Sequence, residues 1–88
     1  MEKDRLQQAF GNVLRGQRAN RGVSQEGLAE LAGLHRTYVS LLERGERNPS
    51  LKVIAALAKA LDTTMATLVA RTEDEERKRS LPKTRRAD

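Results

Sequence analysis

Residues 28–45, with the sequence LAELAGLHRTYVSLLERG, decide how this chain folds. Apolar side chains recur at every third or fourth position on both sides of Gly33, which is the spacing of a helix face. An interior glycine costs a helix about 1 kcal/mol relative to alanine, but glycine readily adopts the left-handed conformation that ends a helix. The stretch therefore predicts two short helices that meet at a steep angle, with the small Ala29 permitting close approach and Leu34 filling the turn.

Capping signals on both sides extend this pattern to an all-α domain of five helices. A first amphipathic helix is predicted over residues 4–21, ended by Gly22. Ser24, Ser50 and Thr64 are suited to accept hydrogen bonds from the first free amides of the second, fourth and fifth helices. The third helix is predicted over residues 36–44. Leu6 falls at helical spacing in the first helix and Leu31 belongs to the second, while Leu51 is assigned to the apolar face of the fourth helix and Val69 to that of the fifth.

Apolar residues become scarce after residue 70, so we expect a helical domain over residues 1–70 and a charged C-terminal tail over residues 71–88. Acidic residues precede basic ones by four positions in the tail, which supports an extension of the fifth helix. Such an extension would be polar all round, which favours a solvated segment over a DNA-contacting arm. Transient phosphate contacts by Lys83, Arg85 and Arg86 are the alternative.

The composition excludes several classes of function. The 88 residues contain no cysteine and one histidine, so we expect neither a disulfide framework nor a metal site, and no cofactor. No nucleophile and base pair, carboxylate couple or phosphate-binding glycine loop indicates an enzyme. No apolar run approaches a membrane span, so a cytoplasmic protein is expected. The net charge of +5 favours a polyanion as partner.

The longer stretch SQEGLAELAGLHRTYVSLLERGERNPSLKVIAALAKAL, residues 24–61, resembles the lambda-repressor and Cro type of helix-turn-helix, the Xre family of DNA-binding regulators. The resemblance covers about residues 6–69. Its specific elements, in order, are Ser24-Gln25, Ala29, Gly33, Val39, Leu42-Glu43, Gly45 and Asn48-Pro49-Ser50. It implies a compact five-helix lambda-repressor-like domain whose helix-turn-helix is formed by the second and third helices.

The resemblance also implies which residues meet DNA, because in this family the third helix enters the major groove with its N-terminal residues at the base edges. The implied base contacts are Arg36, Thr37 and Ser40. Arg36 is suited to donate two hydrogen bonds to guanine, worth about 1 to 3 kcal/mol of discrimination. The candidate phosphate contacts are Gln25, Tyr38, Arg44, Arg47 and Asn48.

Some of these assignments have structural alternatives. Thr37 and Ser40 are equally consistent with solvated side chains, Tyr38 with a cover at the edge of the core, and His35 with a helix cap or a neighbour of a phosphate. The resemblance pairs Arg18 with Glu43 in a structural ion pair that orients the third helix. It places a dimer surface on the fifth helix and the loop before it, with Thr63, Met65, Thr67 and Leu68 as candidates.

The function implied is a transcriptional regulator that binds double-stranded DNA as a homodimer on an inverted-repeat operator, because symmetry doubles the few base contacts of one module. A chain of this size is similar to the small controllers of restriction-modification systems or to phage-like repressors. The alternative is a protein-binding module, such as an antitoxin or adaptor, with an unknown protein partner and secondary DNA binding.

Overall fold

The computed structural model describes residues 4–80, which form five α-helices. The helices are α1 (Arg5–Arg21), α2 (Gln25–Ala32), α3 (Arg36–Glu43), α4 (Leu51–Ala60) and α5 (Met65–Ser80). No strand occurs within these described residues. The prediction of an all-α fold with five helices is confirmed.

Local capping chemistry fixes where the helices begin and end. Asp4, Ser24, Ser50 and Thr64 each accept a hydrogen bond from the backbone N–H three residues later, at 2.9 to 3.2 Å. Asp4 is thus the cap of α1 rather than its first residue. Gly33 ends α2 in the left-handed conformation at φ +73°, so α3 leaves the turn in a new direction.

One hydrophobic core is shared by all five helices. Its buried members are Phe10, Leu14, Leu28, Ala29, Val39, Leu42, Leu57, Ala58, Leu61 and Leu68. The prediction that Leu51 and Val69 face inward is wrong, because their side chains are exposed, as are those of Leu6 and Leu31. Helical spacing places a residue on the apolar side of its helix, but only the middle of that side is covered by neighbours in so small a fold.

Helix α5 continues through residue 70 without a break and packs along α1. Thr72 is buried and donates its hydroxyl to the Leu68 carbonyl at 2.7 Å. Asn12 on α1 donates to the Glu75 carboxylate at 3.4 Å. Residues 71–80 therefore extend α5, as the charge spacing favoured, and most of their described side chains are exposed, but the buried Thr72 departs from the expectation of a fully solvated segment. Lys83, Arg85 and Arg86 lie outside the described residues.

The lengths of the helices bear on a membrane location. Over residues 4–80, no single helix is long and apolar enough to cross a membrane. Helices α4 and α5 reach that length and composition only when taken together, with a bend of 104° between them.

Candidate nucleic-acid interface

The N-terminal turn of α3 is exposed to solvent. Arg36 and Thr37 are exposed, and His35 occupies the N-cap position without a side-chain hydrogen bond to the helix. One turn later, Val39 and Leu42 are fully buried and fix the opposite side of α3 to the core. The amphipathic sequence of α3 therefore exposes two of the three predicted base-contacting residues, Arg36 and Thr37.

The other predicted contacts surround this turn to different degrees. Ser40 and Tyr38 are half-buried, and Tyr38 packs against the core. Arg44, Arg47 and Asn48 are exposed in the connection between α3 and α4. Arg47 donates to the neighbouring Glu46 carbonyl at 2.8 Å.

The C-terminal end of α3 is held by a buried carboxylate. The Glu43 side chain is 1% exposed and receives two hydrogen bonds from Arg18 on α1, Nε to Oε2 at 2.6 Å and Nη2 to Oε1 at 3.0 Å. Arg18 also donates to the Val23 carbonyl at 3.0 Å. This two-point pairing is the strong geometry for arginine and carboxylate. The structure thus brings together the two residues that the resemblance pairs.

Gln25 joins the same carboxylate, which the sequence did not reveal. Its side-chain amide donates to Glu43 Oε1 at 3.0 Å. Because Gln25 is the first residue of α2, one carboxylate ties together α1, the start of α2 and the end of α3. We call Arg18, Gln25 and Glu43 the Glu43 clasp. An amide nitrogen carries two hydrogens, so one donor of Gln25 is left to point elsewhere.

Two arginines lie near the single carboxylate of the Glu43 clasp, so the charge around it is positive. The hydrogen bond from Arg18 to Glu43 is the main cause that raises the pKa of Arg18, against burial, which lowers it. A second arginine, Arg15, lies with its Nε 3.8 Å from Glu43 Oε1, but its side chain is 58% exposed against 18% for Arg18. One carboxylate thus faces two guanidinium groups, and the outer one is open to solvent.

Two glycines allow α1 to approach the same end of α3. A Cβ atom at Gly11 would lie 2.5 Å from the Glu43 carbonyl oxygen and 2.6 Å from that of Leu42. Gly45 adopts φ +74°, and a Cβ there would lie 2.9 Å from the Cα of Gln8. Neither contact was predicted. The signal in the sequence was Gly11 itself, an interior helical glycine that needs a reason as much as Gly33 does.

Comparison with known proteins decides the family. The family model described as helix-turn-helix matches residues 14–68, which include α2, the turn and α3. The chain belongs to the helix-turn-helix family of the Cro/C1 type. The suspected family is confirmed.

Relatives of this helix-turn-helix chain include control proteins of restriction-modification systems. It is 42% identical over 66 residues to control protein C.SmaI of Serratia marcescens, covering 75% of this chain and 79% of the relative. It resembles the crystal structure of the controller C.AhdI of Aeromonas hydrophila at 50% identity and a TM-score of 0.69, covering 70% and 94% of the two chains. The controller C.Esp1396I, solved as a tetramer with its natural 35 base-pair operator, matches at 30% identity and a TM-score of 0.73, covering 81% and 93%.

The predicted dimer residues of this helix-turn-helix chain lie at the start of α5. Thr63, Met65 and Thr67 are half-buried, and Met65 packs against the core. Thr67 Oγ1 accepts from the hydroxyl of Thr64 at 2.9 Å. Leu68 is fully buried inside the protomer, so its side chain is not available to a second copy. The apolar surface near the start of α5 comes instead from the half-buried Met65 and from Val69, which is 44% exposed.

Proposed function

We propose that this chain is a sequence-specific transcriptional regulator that binds an inverted-repeat operator as a homodimer. The observation that carries the proposal is the asymmetry of α3, whose first turn is exposed while its last turn is locked by the Glu43 clasp. A helix held in this way is positioned for insertion of its first turn into the major groove. Membership of the helix-turn-helix family supports the same conclusion.

In this proposal, the base contacts come from Arg36 and Thr37 on the exposed turn, and Ser40 follows one turn later. The guanidinium of Arg36 would donate two parallel hydrogen bonds to O6 and N7 of a guanine. Thr37 would offer its hydroxyl to a base or its methyl group to thymine. These contacts give the sequence preference.

Phosphate contacts position the domain without reading the sequence. Arg44, Arg47 and Asn48 are the exposed candidates after α3, and Tyr38 is a half-buried one. Gln25 would donate to a phosphate with the amide hydrogen that does not bind Glu43. The same side chain would then contact DNA at the start of α2 and help to orient α3.

Two copies would place their recognition helices about 34 Å apart, one turn of DNA. Two copies are needed because a single helix-turn-helix domain makes few base contacts. A solved relative, C.Esp1396I, is a tetramer on its operator, which supports an assembly of several copies on DNA.

The test is selection of bound sequences from a random duplex pool, with the wild-type chain and the Arg36→Ala variant in parallel. We expect the wild-type chain to select an inverted repeat. The Arg36→Ala variant should lose its preference at one position per half-site, a loss of about 1 to 3 kcal/mol of discrimination there.

Arg47→Ala is the matched control, because it removes the same charge from an exposed position after α3. We expect this variant to bind all sequences more weakly, with the consensus unchanged. The slope of log K against log salt concentration should fall by about one, as for the loss of one phosphate contact. Weak binding of the wild-type chain without any consensus would contradict the proposal and favour a protein-binding module.

A further inference from the structure

Arg15 faces the Glu43 clasp without being hydrogen-bonded to it. Its Nε lies 3.8 Å from Glu43 Oε1, beyond hydrogen-bond distance, whereas Arg18 and Gln25 each donate to that oxygen at 3.0 Å. Within residues 4–80, Glu43 is the one ionic neighbour of Arg15, whose guanidinium donates no hydrogen bond there. Toward the described part of the chain, its five N–H donors are therefore unused.

The ion pair with Glu43 holds Arg15 only loosely. Arg15 precedes Arg18 by three positions, so the two side chains lie on one side of α1. The Arg18 side chain is 18% exposed and that of Arg15 is 58% exposed, which puts Arg15 on the solvent side of the carboxylate. An exposed pair at such a distance contributes little to stability, because water screens the attraction. The guanidinium of Arg15 is therefore free to turn to a stronger acceptor.

The start of α2 indicates where that acceptor would lie. The amide nitrogen of Gln25, the first residue of α2, and the Nε of Arg15 approach one atom, Glu43 Oε1. The two side chains are therefore neighbours, although they belong to different helices. A phosphate that binds the second amide hydrogen of Gln25 lies within reach of the long Arg15 side chain. Two guanidinium groups against one carboxylate leave this place with a net positive charge, which attracts such an anion.

We propose that Arg15 is a phosphate contact of the DNA interface and meets the DNA backbone beside the contact of Gln25. When DNA binds, the Arg15 guanidinium turns from Glu43 to a phosphate, to which it donates two parallel hydrogen bonds. Glu43 keeps its hydrogen bonds from Arg18 and Gln25, so α3 stays anchored. The inference rests on the proposed function, to whose phosphate contacts it adds one from α1.

This arrangement gives the Glu43 carboxylate a second effect. On its inner side it anchors α3 through Arg18, and on its outer side it keeps the Arg15 guanidinium beside the start of α2 before DNA arrives. A side chain that is already near its bound position loses less conformational freedom on binding. Because a phosphate contact reads no base, Arg15 adds affinity for every sequence and preference for none.

The first test is the salt dependence of binding to a duplex that carries the selected inverted repeat. Arg15→Gln removes the charge and keeps a polar side chain. We expect weaker binding to all duplexes alike, and the slope of log K against log salt concentration should fall by about one for each copy bound. Arg15→Lys keeps the charge and should retain the wild-type slope, since lysine also binds phosphate.

Arg77→Gln is the matched control. Arg77 is 64% exposed, close to the 58% of Arg15, and it pairs with Asp74 of the same helix at 2.9 Å. The variant removes the same charge from α5, outside the helix-turn-helix, so we expect the wild-type slope. Thermal melts without DNA check that each variant is folded, because a purely structural role of Arg15 would lower Tm and leave the slope unchanged.

A second test locates the phosphate. Replacing one phosphate at a time by an uncharged methylphosphonate shows which positions of the duplex the wild-type chain needs. We expect Arg15→Gln to become insensitive to the replacement at one position per half-site. That position should be the same as, or next to, the one at which Gln25→Ala becomes insensitive. Arg47→Ala should become insensitive at a different position.

The outcomes separate this inference from the proposed function. Equal slopes for Arg15→Gln and Arg77→Gln, or unchanged methylphosphonate sensitivity of Arg15→Gln, would overturn the inference and leave the proposed function standing on its consensus. If the wild-type chain selects no consensus, the proposed function fails, and the same salt titration on a random duplex decides about Arg15, because a phosphate contact does not depend on sequence. A wild-type slope for Arg15→Gln on that duplex would overturn the inference as well.

Discussion

The two ends of α3 are built in opposite ways. At the C-terminal end, Glu43 is buried and clasped by Arg18, and Gly11 lets the α1 backbone touch the α3 carbonyls. At the N-terminal end, Arg36 is exposed and His35 gives the helix no side-chain cap. A short helix of 8 residues is thus anchored at one end and presented at the other.

This arrangement shows how a small domain can fix the direction of a helix without burying the residues proposed to contact DNA. Anchoring contacts must exclude water to be strong, whereas reading contacts must stay hydrated until DNA arrives. Because the two kinds of contact lie at opposite ends of α3, the buried end sets the angle of the helix. The side chains of the exposed end can then differ without disturbing the core. Substitutions at the anchored end should therefore act mainly on stability, whereas substitutions of Arg36 and Thr37 should act mainly on sequence preference.

Loss of the clasp should have the largest effect. Glu43→Ala removes the acceptor of Arg18 and Gln25 and leaves a partly buried guanidinium without its carboxylate. We expect the free energy of unfolding to fall by about 3 kcal/mol, at the lower end of the range for broken buried pairs because Arg18 keeps some access to water. Urea unfolding followed by circular dichroism measures this loss.

Arg15→Ala is the matched control for that experiment. Arg15 lies 3.8 Å from the same carboxylate but is mostly exposed, so its loss should cost less than about 1 kcal/mol. Arginine is charged at neutral and mildly alkaline pH, and the hydrogen bond to Glu43 raises the pKa of Arg18 further, so the contribution of Arg18 to the clasp should not change over this range. Equal losses for Glu43→Ala and Arg15→Ala would argue against an inner, two-point clasp.

Closing the gap between α1 and α3 should have the next largest effect. Gly11→Ala places a methyl group closer than van der Waals contact to two backbone carbonyl oxygens of α3. Backbone atoms, unlike the end of a flexible side chain, cannot rotate away. We expect a loss of about 1 to 3 kcal/mol, with reduced DNA selectivity because α3 must tilt or shift. Gly16→Ala is the control on the same helix. Nothing lies within 4 Å of a Cβ there, and this variant should be neutral or slightly stabilising. If Gly11→Ala were as neutral or stabilising as Gly16→Ala, close packing against α3 would not explain Gly11.

These contacts also show what the sequence can and cannot predict. Ser24 and Gly33 act on their own neighbours in the chain, so the helix boundaries and the turn followed from local chemistry. The exposed Arg36 followed from the family resemblance together with the periodicity of α3. Each of these depends on residues only a few positions apart.

Contacts between segments far apart in the sequence could not be predicted from it. Gly11 and Glu43 are far apart in sequence, and their proximity depends on the angle at which α1 crosses α3. The same holds for Gln25, whose type suits a phosphate contact and gave no sign of the clasp. The prediction that Leu51 faces inward was wrong for a related reason. Periodicity marks a helix face, but whether a neighbour covers it depends on packing between helices.

The smallest effect should come from strengthening the free end of α3. His35→Ser supplies a hydroxyl that accepts from a first-turn amide, as Ser24 does for the N–H of Gly27 at 2.9 Å. We expect a gain of about 0.5 kcal/mol, or roughly 2 to 4 °C in Tm, by calorimetry. His35→Ala is the control and should bring no gain, since it supplies no acceptor. A fall in DNA affinity for all sequences alike in both variants would assign His35 a phosphate contact. An unchanged Tm for His35→Ser would instead mean that the backbone bond from Tyr38 N–H to the His35 carbonyl already satisfies this end, and the two ends of α3 would then differ in exposure but not in stability.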